Sequence, residues 1–125
     1  MKKKVKHTDH ITAEVKKSLE LKKSKTHIIV EILHYVPNSV VSKTILKKKN
    51  GNITIVSFAI GEESEYIISP FDIYIQIIDG EAKLTIGKKK HHLKTGNGII
   101  IPAHRKYCFN AKKQFKVVST LIKNT

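Results

Sequence analysis

The 125-residue sequence predicts an all-β fold, an antiparallel sandwich or barrel, and three observations carry that reading. Short β-branched runs from Asn52 onward place apolar residues at every second position. Each run is bounded by a turn signal, at Asn50-Gly51, Ser69-Pro70, Asp79-Gly80, Gly87 and Gly96-Asn97-Gly98. The Asn-Gly and Asp-Gly pairs supply the positive φ that tight hairpins need. Nothing after Val36 leaves room for the crossover helices of a parallel sheet. The length fits one domain with a modest core.

Taken in order, the chain opens on Met1-Lys2-Lys3-Lys4, like the basic start of a signal peptide, but no apolar core follows in VKHTDHITAEVKK. Secretion by that route is therefore not expected, and no run approaches the length that crosses a bilayer, so no membrane partner is expected either. The segment Thr12 to Lys25 is predicted as one charged helix, with Thr12 as N-cap and Val15, Leu19 and Lys22 or Lys23 at helical spacing. His27 to Val36 is apolar enough for a strand or a docking segment that packs on the barrel or on a second subunit. The expected division is an N-terminal extension, 1–36, and a barrel, 37–125, with the boundary near Pro37 to Val40. Asn52 to Ile60 alternates with Ile53, Ile55, Ser57 and Ala59 as its expected core face, leaving Val56, Phe58 and Ile60 on the other. Ile73 to Ile78 and Ala82 to Ile86 repeat the alternation.

Two stretches carry a family resemblance. GEESEYIISPFDIYIQIIDG, Gly61 to Gly80, and GNGIIIPAHRKYCFN, Gly96 to Asn110, have the spacing of the two motifs of a cupin barrel. The first family motif runs Gly, five residues, His-x-His, three or four residues, Glu, six residues, Gly. Here the histidine positions hold Ile67 and Ser69, and the glutamate position holds Ile73. The second runs Gly, five residues, Pro-x-Gly, two residues, His. Gly96 and Pro102 match, His104 replaces the glycine and Tyr107 stands at the last histidine. Between them, DGEAKLTIGKKKHHLKTGNGIIIPA looks like the central hairpin of small single-domain cupins, and the resemblance covers Val40 to Ile122. It implies a cupin-type jelly-roll β-barrel. It also implies a barrel without its metal, because neither Ile67 nor Ile73 can donate a lone pair, and Tyr107, with an ordinary phenol pKa near 10, would need a strong local charge to ligate as phenolate.

The remaining chemistry is sparse. A net charge of +14 suggests a polyanion partner, yet of the 24 basic residues only Arg105 is arginine, and the runs Lys47-Lys48-Lys49, Lys88-Lys89-Lys90 and Lys112-Lys113 lack interleaved aromatics. Sequence-specific nucleic-acid recognition is thus not expected. The single cysteine, Cys108, excludes an internal disulfide and fits a cytoplasmic location. His7 and His10 lie in a polar arm, His27 and His34 follow no pattern, and the adjacent His91 and His92 would point to opposite faces of a strand. Glu62, Glu63, Glu65 and Asp72 are read as charge relief in a lysine-rich chain.

If parity holds, Ile67, Ser69, Ile73, Ile75 and Ile77 face inward, giving a mostly aliphatic interior. The expected function is a metal-free barrel, without cofactor or catalysis, that binds a small apolar or mixed molecule or serves as an interaction module. Its candidate ligand-binding residues are Tyr107, Ser69, His104, Ile67 and Ile73. Two alternatives stand beside it: a metal-independent sugar isomerase or epimerase using His104 and Tyr107 for proton transfer, and a polyanion binder carried by lysine charge. A homodimer is expected because the Val56, Phe58 and Ile60 face would otherwise be exposed, with His27 to Val36 contributing to the contact.

Overall fold

The computed structural model describes residues 20–123. It contains seven strands, β1 (Val40–Lys48), β2 (Gly51–Phe58), β3 (Ile73–Ile86), β4 (Lys89–Lys94), β5 (Gly98–Ile101), β6 (Tyr107–Asn110) and β7 (Phe115–Ile122), and a 3-10 turn at Ile29–Glu31. All pairings are antiparallel. The path runs β1-β2-β7-β3-β4, with β5 and β6 also paired to β3.

The 14-residue β3 explains how the barrel closes. Its first half, from Ile73 to Ile77, lies between β7 and β5, whereas its second half, from Glu81 to Ile86, lies between β4 and β6. One strand thereby belongs to both sheets. The bend falls at a register shift between Ile77 and Asp79, followed by Gly80 at φ 83°. A Cβ there would come 2.0 Å from the Gln114 carbonyl oxygen, so both the conformation and the close approach require glycine.

Alternation decides what fills the space between the sheets. Ile73, Ile75, Ile77, Ala82, Leu84 and Ile86 of β3 are buried, while Tyr74, Gln76 and Lys83 between them are exposed. The core centres on Phe58, Phe109 and Phe115, with ring centroids 4.5 to 5.6 Å apart.

Strand β2 corrects the sequence reading. Val56 and Phe58 face the barrel core, and Ile55 and Ser57, expected there, lie on the opposite face. Both are nonetheless fully buried, outside the main core cluster. The cause is the N-terminal segment, which crosses the outer face of the larger sheet. The Ser57 hydroxyl donates to the His34 carbonyl (3.1 Å), the Lys116 ammonium donates to the Val30 carbonyl (2.7 Å), and the Tyr35 hydroxyl donates to the Asp79 carboxylate (2.5 Å). Ser57, Lys116 and Asp79 are register neighbours on β2, β7 and β3, so one polar row holds the segment. Lys116, only 7% exposed, also sits 4.9 Å above the Tyr35 ring. With β2 covered on both faces within one chain, it no longer supplies the apolar face on which the homodimer was argued.

Residues 27–36 therefore dock on the barrel, through a 3-10 turn and irregular backbone rather than as a strand. At its start the segment meets the β1 edge, where the Leu21 amide donates to the Ile45 carbonyl and the Lys47 amide to the Glu20 carboxylate. The predicted helix over 12–25 is absent from 20–25, which form bends and a turn with Ser24 at φ 59°. Its earlier part, including Thr12, lies outside the described residues, as do His7 and His10.

Candidate functional site

Between the sheets lies a cavity of about 240 Å³. Strand β1 contributes Val40 and Ser42, β2 Thr54, Val56 and Phe58, β3 Ile75, β6 Tyr107 and Phe109, and β7 Val117 and Ser119. Ser64 and Ile67, from the link between β2 and β3, complete the wall.

Two of the motif positions meet at this wall. Ile67 and Tyr107 form an isolated antiparallel bridge, each amide donating to the other's carbonyl at 2.8 and 2.9 Å. Tyr107 is 8% exposed and its ring meets Phe109 edge-on, with centroids 6.2 Å apart. Burial pushes its hydroxyl pKa above the ordinary phenol value. Among the described residues that hydroxyl has no hydrogen-bond partner, which leaves it available to the cavity. The Ser64 hydroxyl accepts from the Phe109 amide at 2.9 Å, which engages one of its two lone pairs.

The other expected site residues go elsewhere. Ser69 is buried, but its hydroxyl both donates to the Phe71 carbonyl (2.9 Å) and accepts from the Phe71 amide (3.0 Å), stabilising the turn before β3. Ile73 is packed into the core and does not line the central cavity, but it shares the wall of a second cavity with His104. His104 is exposed, at φ 68°, and lines that second cavity, of about 410 Å³, with Phe71, Asp72, Tyr74, Ile100 and Thr120. The structure thus separates His104 from Tyr107, and the two do not share a cavity in which one substrate could lie between them.

The donor set does not fit a transition metal. Ile67 and Ile73 offer no lone pair, the Ser69 oxygen is tied to its own turn, and Tyr107 has no cation beside it that would favour phenolate. Among the described residues, no three His, Cys, Asp or Glu side chains gather around a common point.

Sequence reasoning missed Ser42, Thr54, Val56, Phe58 and Ser119. β2 carries bulky apolar residues on both faces, so period two alone could not choose between them. The available signal was size, because Phe58 is too large for a face covered only by a thin segment. Ser42, Thr54 and Ser119 look like solvent-facing residues in the sequence.

No family model matches the chain, and no curated protein matches it. Solved structures do. A conserved protein of unknown function from Streptococcus pyogenes superposes with a TM-score of 0.79 at 22% identity, covering 84% of this chain and 92% of that one. A cupin superfamily protein from Desulfitobacterium hafniense gives 0.78 at 23% identity, covering 83% and 95%. A cupin 2 conserved barrel domain protein from Leptotrichia buccalis gives 0.73 at 29% identity over 75% of this chain, which spans 46% of that longer protein.

Proposed function

We propose that this small cupin barrel binds an uncharged, largely apolar molecule in its central cavity and works without a metal. One observation carries the reading: the cavity wall holds apolar side chains and hydroxyls but no carboxylate, amine, imidazole or thiolate, and the Tyr107 hydroxyl is free to meet a ligand. A small apolar pocket with a few convergent polar groups is the usual composition of a binding site. At about 240 Å³ it lies below the roughly 300–1,000 Å³ common for drug-sized ligands, which suits a one-ring molecule. A charged group buried there would lose its hydration with no counter-ion in return.

Calorimetric titration with phenol and with benzoate tests this. Phenol should bind and benzoate should not; equal binding of both, or of neither, would refute the reading. The isomerase alternative is not favoured, because its proposed acid and base line different cavities.

A further inference from the structure

The outer face of the smaller sheet gathers exposed lysines from three strands and their flanks. Ala82, Leu84 and Ile86 of β3, Leu93 of β4, and Tyr107 and Phe109 of β6 point inward and are buried, so the alternate residues point out. Register then places Glu81 beside Lys94, Lys83 beside His92 and Asn110, and Thr85 beside Lys90 and Cys108. Lys106 precedes β6, and Lys112 and Lys113 follow it; all six of these lysines are exposed. The acids on this face are already answered. Glu81 meets His92 at 2.9 Å and Lys113 at 3.8 Å, and the Glu63 carboxylate accepts from the Asn110 side-chain Nδ2 at 3.1 Å. The His92 hydrogen bond, with Lys113 nearby, holds the Glu81 carboxyl below its ordinary range. Among the described residues, Lys83, Lys90, Lys94 and Lys112 make no ion pair.

We propose that the outer face of the β4-β3-β6 sheet binds the phosphate backbone of duplex nucleic acid without reading its sequence. An array of ammonium groups carried on one sheet, most of them outside any ion pair, gains affinity by releasing counter-ions from a dense line of phosphates. Other anionic partners ask for features this face lacks. A protein interface needs a desolvated apolar or aromatic centre, and lysine is depleted in such centres; here the centre holds Lys83, Thr85, Cys108 and Asn110. A lipid surface would take up a broad patch of exposed apolar side chains; Ile28, Tyr74, Ile100 and Ile122 lie on the N-terminal segment or the larger sheet, and Tyr66 and Ile68, on the segment bridged to β6, flank this face at one edge without entering its centre. A single strand needs a row of stacking platforms, whereas Tyr66, at the edge, has Lys106 over its ring at 5.0 Å. Lysine rather than arginine makes the contact a point charge, which fits backbone binding and not base readout.

Fluorescence anisotropy on the full chain with a labelled random-sequence duplex, across a salt series, tests the proposal. The variant Lys83→Gln/Lys90→Gln/Lys94→Gln should bind at least about tenfold more weakly at low salt, and its plot of log affinity against log salt should flatten by about 0.9 per lysine removed. The control Lys22→Gln/Lys23→Gln/Lys25→Gln loses the same charge from exposed positions on the N-terminal segment. It should bind like the parent protein. Equal weakening in both variants would show that net charge binds and this face does not. Absence of duplex binding at low salt, or stronger binding to vesicles of one-third phosphatidylserine or to polyglutamate, would also overturn the proposal. An unchanged melting temperature in the triple variant would confirm that the loss is not one of folding.

Discussion

At the scale of single residues, Tyr107 is where sequence and structure speak most directly to one another. Its place in the second motif gave its inward direction, because the motif count puts it at the position of an inward histidine, and it is 8% exposed. What the count could not give was the fate of Ser69 and His104, since a hydroxyl tied into its own turn and a histidine at positive φ are products of loop geometry rather than of spacing. Tyr107→Phe should keep the fold and weaken phenol binding by roughly tenfold, about the value of one hydrogen bond. Tyr107→Ala should in addition lower stability by about 2 to 4 kcal/mol in urea unfolding, through the cavity it leaves. Alkali tests the same burial. A phenol whose pKa is raised by folding contributes its full stability below the unfolded value near pH 10 and loses it as pH rises toward the folded value. Burial acts in this direction on Tyr107, and burial together with the Asp79 carboxylate does so on Tyr35. Stability should therefore fall above about pH 10, and Tyr107→Phe should make that fall shallower.

At the scale of elements, the instructive case is β2 and the segment that covers it. Period-two reasoning assumes one wet face, and GNITIVSF has none, because one face meets the core and the other meets residues 20–36. The turns at Asn50-Gly51, Gly87 and Gly96 were legible since glycine leaves a mark, but Asp79-Gly80, expected to end a run at a hairpin, is instead a bend inside the continuous β3 that lets it serve two sheets. Gly80→Ala should cost more than about 2 kcal/mol in chemical denaturation, because the strained φ and the clash with the Gln114 carbonyl act together. The docking of residues 27–36 was legible as apolar character, but its means, carbonyls held by Ser57 and Lys116, was not. Lys116→Met retains an apolar stem and deletes the charged donor. Hydrogen exchange of the 28–36 amides should then quicken at least about tenfold while the core strands keep their protection; uniform acceleration along the chain would show that Lys116 supports the barrel as a whole instead.

At the scale of the whole molecule, the wall of the cavity between the sheets, to which Ile67 and Tyr107 belong, holds no carboxylate, imidazole, amine or thiolate. Among the described residues no helix is long and apolar enough to cross a membrane. Purified protein should carry no stoichiometric iron, manganese, nickel or zinc by elemental analysis, and chelators should leave its melting temperature unchanged. The central claim, that the chamber between the sheets is the binding site, is tested most directly by methyl NMR during a phenol titration. Saturable shifts at the methyls of Val56, Ile67, Ile75 and Val117 are the predicted result. Shifts confined to Ile100 and Ile122, which line the second cavity with His104, would contradict it.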